Sequence, residues 1–466
     1  MLTKEDNDLL TRVGPATPMG TLFRRFWVPC LLSDELPGPD CTPVRVRILS
    51  EDLIAFRDTD GKVGLVHAYC PHRNAPMFFG RNEEGGLRCI YHGWKFDVEG
   101  KCVEMPNCWE GETFKEKVHI KAYPTEDRGG MIWAYLGPAE KKPPMPDFEW
   151  LDVAPEQRYV MKYLIGCNYL QSLENEFAES HGGFLHRNLG PATGVANQRW
   201  TSRTRPADGS IPDRRPQDPS RMNVVDTDFG SVLVTKVPTD ELDKECYQVG
   251  TPYWMPFSSA AGGLSAPGVF PLNIKVPVDD EHMVFFRYKW SEQPITTSAR
   301  AEMIAGGFEF PTVVPGTYTV RENKSNDYLI DRNKQRFYNY SGMANTPVQD
   351  IAMTENQGGP IADRSQETLV STDKYIIHVR RRLMNAAKGL MNGQEPPEAW
   401  KVDAFRARVR GARVEVPAGT PLDEVVDLAL HPEKAAARDG QVRITAGQLS
   451  RRIAIPAPDA ATAGAR

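Results

Sequence analysis

The chain lacks any apolar run long enough to cross a bilayer: no stretch of about 18 apolar residues occurs. Its start, Met1-Leu2-Thr3-Lys4-Glu5-Asp6, lacks the apolar core of a secretory signal. These two absences argue against a membrane-bound protein and point to the cytoplasm. Neither sign of charge is in excess. Lys and Arg total 56 against 61 Asp and Glu, a net charge of −5, which gives no electrostatic footprint for nucleic acid. The one basic run, Arg380-Arg381-Arg382, falls in a predicted helix and reads as a solvated face or a docking patch. No internal repeat is present, and no disulfide framework. Eight cysteines are scattered at 30, 41, 70, 89, 102, 108, 167 and 246, and in a reducing compartment those outside any metal motif are ordinary thiols. With 466 residues, 40% of them hydrophobic, the chain is long enough for two or three globular units.

What is present is a pair of mixed motifs. Cys70-Pro71-His72 is followed, after sixteen residues, by Cys89-Ile90-Tyr91-His92. Together they offer two thiolates and two imidazoles. Zinc takes such sets, but its common arrangements put like with like, as C-x-x-C followed by H-x-x-x-H. Mixed pairs suit a cluster whose two irons differ, one held by cysteines and the other by histidines, which is the Rieske [2Fe–2S] arrangement. Gly80, Gly85, Gly86 and Gly93 allow tight loops around sulfides, and Trp94 and Phe96 open a strand that shields the cluster.

Taken in order, residues 3–13 predict a short helix stopped by Gly14-Pro15. From 24 to 137 the pattern is all β, with short apolar runs at Val44–Leu49, Leu53–Phe56, Val63–Val66 and Met131–Leu136 between turn signals. The proline-rich 138–147 reads as a semi-rigid linker. A second unit is expected over 148–400, and a C-terminal extension with a flexible Ala/Pro-rich end over 401–466. In the second unit, Ser231–Val237, Tyr247–Trp254, Val269–Val276 and His282–Trp290 predict an antiparallel sheet. Thr372 is the expected cap of a helix that starts at Asp373 and ends at Gly393. The fold class is therefore α+β.

Cys167–His181 predicts a helix whose buried stripe, Leu170, Leu173 and Phe177, leads to His181 on the same face. Gly182-Gly183 is expected to cap it. On a continuous helix residues five apart diverge by about 140°, so the break is what lets His186 turn back to His181. Two His and one carboxylate with open positions form the facial triad of non-haem Fe(II) oxygenases. Spacing does not identify the carboxylate.

These motifs resemble the oxygenase (alpha) component of the Rieske non-haem iron aromatic oxygenases, in the phthalate 4,5-dioxygenase-like branch. The resemblance rests on 70–92, on Cys167-Asn-Tyr-Leu-Gln-Ser-Leu-Glu174, and on His181-Gly-Gly-Phe-Leu-His186. It continues through Gln349-Asp350-Ile-Ala-Met-Thr-Glu355 and Gly359-Pro-Ile-Ala-Asp363-Arg-Ser, spanning about 8–392. It implies a helix-grip-like catalytic domain with an antiparallel sheet after the Rieske domain. It also implies a cluster on Cys70, His72, Cys89 and His92, and a mononuclear Fe(II) on His181, His186 and Asp350. Asp363 is the competing third ligand. Implied partners are a separate flavin/iron–sulfur reductase, O2, a small aromatic substrate, and copies of the chain in a homotrimer or stacked trimers. The rival reading is a Rieske electron-transfer protein without oxygenase activity.

One position departs from the family pattern. Three residues before the first His the family usually carries an Asp that bridges to a cluster His of the neighbouring subunit, and this chain has Ala178. A methyl group accepts no hydrogen bond. An altered variant, a natural chain with another path, and a weakly active member all fit. For the substrate, expected to be an aromatic carboxylate, Asn175, Ser231, Lys236 and Gln248 are the predicted pocket residues.

Overall fold

The computed structural model describes residues 2–109, 111–178, 180–187, 189, 218–260, 269–305, 309–406, 412–436, 438 and 440–446. The chain opens with helix α1 (Lys4–Thr11), capped by the Thr3 hydroxyl, and helix α2 (Pro18–Phe23), capped by Thr17. Only a glycine fits at position 20, because a Cβ there would stand 2.2 Å from the Gly14 carbonyl oxygen.

The first unit is β throughout, as its short apolar runs predict. Strand β1 (Trp27–Leu32) is followed by β2 (Val44–Ile48), β3 (Glu51–Arg57) and β4 (Val63–His67). Then come β5 (Arg81–Glu83), β6 (Gly86–Arg88), β7 (Lys95–Phe96) and β8 (Cys102–Glu104). Strands β9 (Ala122–Tyr123), β10 (Thr125–Arg128) and β11 (Met131–Tyr135) complete it. They form three sheets, ordered β1-β11-β10, β2-β3-β4-β9 and β5-β6-β7-β8. A small apolar core of its own, including Ile54, Phe56, Val66, Met77, Leu87 and Phe96, packs around Cys70 and Cys89.

The second unit is one antiparallel sheet with helices against it. Its strands are β12 (Arg158–Ile165), β13 (Met222–Thr227), β14 (Gly230–Val237), β15 (Lys244–Trp254), β16 (Ser258–Ser259), β17 (Val269–Pro277) and β18 (Met283–Ser291). The order is β12-β18-β17-β16-β15-β14-β13. Strand β19 (Ala412–Pro417) pairs with the first half of β15, and β20 (Arg443–Ala446) pairs with β19. The C-terminal extension thus adds strands to the sheet, while its end, 447–466, lies outside the described residues, as do 190–217.

Three further helices build the site: α3 (Tyr169–Asn175), α4 (Thr346–Thr354) and α5 (Lys374–Met391). Among the described residues no helix is long and apolar enough to cross a membrane.

Two local expectations need correction. The helix predicted over Cys167–His181 stops after Asn175, and His181–Gly183 form a separate 3-10 turn with both glycines inside it. The carboxylate of Glu176 is drawn into the sheet by Lys275 and Asn273, which pulls the chain off the helical path. Of the basic run on α5 only Arg381 is exposed. Arg380 is buried against Glu174 and Glu367, and Arg382 reaches Asp226 and Glu398. The α5 cap also differs, since no Thr372 side-chain bond caps it and a short 3-10 turn, Ser371–Asp373, leads in.

Candidate metal centres and active site

The two cysteine loops repeat one another. In each, the cysteine carbonyl accepts from the amide four residues on: Asn74 N to Cys70 O at 2.9 Å, and Gly93 N to Cys89 O at 2.9 Å. In each, the cysteine amide donates five residues on, Cys70 to Ala75 O and Cys89 to Trp94 O. The turns need left-handed residues at Asn74 (φ 54°) and Gly93 (φ 81°), types that tolerate this conformation. Both thiols are buried, while the histidines two and three residues on sit nearer the surface. His72 stacks on Trp94, with ring centroids 4.4 Å apart, and stands 4.5 Å from His92 by the same measure. Burial pushes the Cys70 thiol up to about 11, with Cys89 beside it adding to the shift. A metal would take the place of that proton, since the thiolate is the ligand form. Among the described residues His72 Nδ1 is buried without a hydrogen-bond partner. Two buried thiols and such a ring nitrogen fit a cluster held at its outer edge by imidazole.

The second centre is built where α3, the following turn and α4 meet. Glu174 of α3 is buried between Arg364 and Arg380, and burial alone would raise its carboxyl. The two guanidiniums outweigh that and hold it below the usual carboxylate range. Gln171 ties α3 to the segment after α4, donating to Thr354 O at 2.7 Å and accepting from Ala362 N at 2.9 Å. These bonds fix where the His turn faces Asp350.

Each histidine is held by its inner nitrogen. His181 Nδ1 lies 2.5 Å from the Ala178 carbonyl oxygen, and His186 Nδ1 lies 2.7 Å from Gln349 Oε1. Both partners are acceptors, so both Nδ1 atoms carry the proton and both Nε2 atoms carry the lone pair. The Nε2 atoms turn to Asp350 Oδ1, at 3.6 Å from His181 and 3.2 Å from His186. All three atoms lie within 4.8 Å of one another, and among the described residues Oδ1 is buried without a well-formed hydrogen bond. Lone pairs that converge in this way fit a cation. The Asp350 carboxyl lies below the ordinary range: burial raises it, and the opposing pull includes an Asn175 hydrogen bond.

The other predicted positions separate. Asp363 is spent on the Ser365 amide and hydroxyl at the surface, so it is no rival to Asp350. Ala178 offers its carbonyl rather than a side chain. Asn175 joins the centre through Asp350, and Ser231 is buried beside the carbonyl that accepts from Tyr375. Lys236 and Gln248 are exposed on β14 and β15, and Lys236 pairs with Glu245; neither lines the buried face.

Sequence reasoning missed that buried face. Directly opposed residues of antiparallel strands share one side. The register therefore sets Ser259, Asn273, Arg287 and Met161 in one row and Lys275, Phe285 and Tyr163 in the next. Lys289 follows beside Tyr159. The face lies against the end of α3, where Lys275 Nζ is 2.5 Å from Glu176 and Asn273 donates to it at 2.9 Å. Burial lowers Lys275 and Lys289 to about 8 each, against the pull of Glu176 and Glu309.

Known proteins resemble the chain over nearly all of this framework. A family model described as LigXa C-terminal domain like matches residues 134–417, and one of the Rieske [2Fe-2S] domain matches 26–124. The phthalate 4,5-dioxygenase oxygenase subunit of Pseudomonas putida is 35% identical over 397 residues, or 84% of this chain and 88% of that protein. The 3-chlorobenzoate-3,4-dioxygenase oxygenase subunit of Comamonas testosteroni is 34% identical over 427 residues, 87% of this chain and 93% of that one. The structure of NdmA with caffeine from Pseudomonas putida CBB5 aligns with a TM-score of 0.54 at 18% identity, over 87% of this chain and 99% of that one. At that identity the likeness bears on the fold.

Proposed function

Because the chain belongs to the Rieske non-haem iron oxygenases, as an oxygenase subunit, we propose which of its residues serve that chemistry and on what substrate. The protein is an oxidoreductase whose cofactors are a Rieske [2Fe–2S] cluster and a mononuclear iron. When bound, the cluster supplies electrons singly and the mononuclear iron supplies the open positions at which O2 is activated. In our reading Cys70 and Cys89 hold one cluster iron, His72 and His92 the other, and His181, His186 and Asp350 the mononuclear iron. Residues 24–137 form the cluster domain and 148–400 the catalytic domain, joined by the linker over 138–147.

The residues around these ligands do the orienting. The Ala178 carbonyl and the Gln349 amide fix the imidazole tautomers, as outer partners of metal-bound His commonly do. Electrons come from a separate reductase. A homotrimer brings one subunit's cluster edge to the next subunit's mononuclear centre, and the exposed Tyr69, Ile90 and Tyr91 beside that edge suit such a contact. The substrate is a small aromatic carboxylate, hydroxylated at this centre, in keeping with the phthalate and 3-chlorobenzoate named for two relatives.

One observation carries the reading: His181 Nε2, His186 Nε2 and Asp350 Oδ1 converge in the same chain as the paired cysteine loops. Metal and sulfide analysis of the purified protein tests it. Three irons per two labile sulfides are expected, with the third iron lost in His186→Ala. Two irons per two sulfides in the iron-loaded chain would leave an electron carrier and refute the assignment.

A further inference from the structure

Two buried groups beside α4, Glu355 and Tyr328, are not among the groups that converge on the cation position. Glu355 lies just past the end of α4, the helix that carries Asp350. Both its partners are neutral: Gly166 N donates to Oε1 at 2.6 Å, and the Tyr328 phenol donates to Oε2 at 2.5 Å. Among the described residues no Lys, Arg or His pairs with it. A carboxylate taken out of water without a counter-ion is costly, so the two donors are what keep it there. Each comes from a different segment. Gly166 lies between β12 and α3, the helix that leads to His181, and a Cβ there would stand 3.3 Å from Oε1.

Tyr328 belongs to a strained turn. Asp327, Tyr328 and Leu329 are all left-handed, at φ 51°, 53° and 48°, and none is a glycine. Such a turn persists only where its surroundings hold it. Here they hold Tyr328: its Oη is fixed by Glu355 and by Asn356 Nδ2 at 2.9 Å, and its amide donates to Asn323 O at 2.9 Å. The same segment reaches the other side of the centre. The short helix Arg332–Phe337 carries it to Tyr338 and Tyr340, which bond the backbone just after His186. Leu189 N donates to Tyr338 O at 2.7 Å, and Tyr340 N to Arg187 O at 2.8 Å. Met343 O then accepts, at 3.4 Å, from Nε2 of Gln349, the side chain whose oxygen holds His186 Nδ1.

We propose that Glu355 and Tyr328 are positioning residues for the mononuclear centre. Locked on Glu355, the strained turn makes 323–343 a brace that sets Asp350 against His181 and His186. The proposal rests on the iron assignment made above and involves neither substrate nor cluster.

Two measurements on the iron-loaded protein read the site without turnover: chelator competition, and EPR of the Fe(II)–nitric oxide adduct with the cluster oxidised and silent. Tyr328→Phe removes one hydroxyl and keeps the ring. It is expected to weaken mononuclear iron binding about tenfold and to alter the rhombicity of the adduct spectrum, with cluster absorbance unchanged. Glu355→Ala is expected to weaken iron further, and Glu355→Gln, which still accepts from Gly166 N, to restore part of the loss. Because Tyr328 acts through Glu355, Tyr328→Phe should add nothing in the Glu355→Ala background. Should Glu355→Ala fail to fold, Tyr328→Phe decides alone. A lower melting temperature in Tyr328→Phe with the parent's iron affinity and spectrum would mean a brace for the fold only, and overturns the proposal. Losses that simply add in the double variant overturn it too. Two irons per two sulfides in the parent would sink the iron assignment and the proposal with it, whereas three irons with an indifferent Tyr328→Phe sink the brace alone.

Discussion

Glu174 is where removal of one atom group tests how the catalytic centre is held. Its carboxylate accepts from Arg364 Nε at 3.0 and 3.1 Å, from Arg364 Nη2 at 3.0 Å, and from Arg380 Nε at 2.6 Å. All three side chains are buried. In Glu174→Ala, Arg380 keeps Glu367, but Arg364 is left with Asn7 Oδ1 at 3.2 Å and the Ala362 carbonyl at 3.3 Å. A buried guanidinium then has no anion. Removing one partner of a buried pair costs about 3–5 kcal/mol. At roughly 2–4 °C per kcal/mol, the catalytic unit's calorimetric transition should fall by about 6–20 °C. Since α3 leads into the His181 turn, mononuclear iron should be lost before the cluster absorbance. The sign of the pH effect follows from the lowered carboxyl. Its stabilisation is present above the unfolded value of about 4.3 and is lost as pH falls through the folded one. Glu174→Gln should therefore flatten the acid limb of stability. A loss under about 1 kcal/mol with iron retained would refute the reasoning, because the ion group would then contribute nothing beyond its replacement by water.

Three smaller perturbations probe the two centres. Gln349→Leu removes the acceptor of His186 Nδ1 and should weaken mononuclear iron binding about 10–100-fold in chelator competition, with Gln349→Glu retaining it; equal affinities would mean the bond does not orient the ring. Gly93→Ala forces a left-handed Ala, costing roughly 1–2 kcal/mol, and sets its Cβ 2.6 Å from Pro106 Cγ. Cluster absorbance should fall while the catalytic unit's transition stays in place, and unchanged absorbance would show that the loop has room. Ala178→Asp supplies the missing side-chain acceptor, so oxygen-driven re-oxidation of the reduced cluster should quicken in single turnover; rapid re-oxidation in the parent chain would mean that another group already joins the sites.

The legible parts of this chain are those set by local pattern. Strands β14, β15, β17 and β18 fall within a few residues of their predicted runs, because their apolar and β-branched residues need a sheet whatever surrounds them. The paired cysteine loops were readable because a cluster dictates ligand types at short spacing. What failed depends on contacts distant in sequence. The 3.6-residue stripe through Phe177 argued for a helix to His181, but Glu176 finds Lys275 about a hundred residues away and leaves the helical path. Arg380 looked solvated beside two other arginines until Glu174 claimed it across 206 positions.

Arg287 shows why the buried face was unreadable. In Met283–Ser291 the cations Arg287 and Lys289 alternate with Phe286, Tyr288 and Trp290, which is the pattern of a strand with one wet face. Asn273 and Lys275 on β17 repeat it. On pattern alone that polar face belongs outside. Only the packing of α3 against it, through Glu176, turns the polar side inward. Like charges on one face are destabilising unless counter-ions come from elsewhere. Glu176 and Glu309 supply two such counter-ions, both from outside these strands.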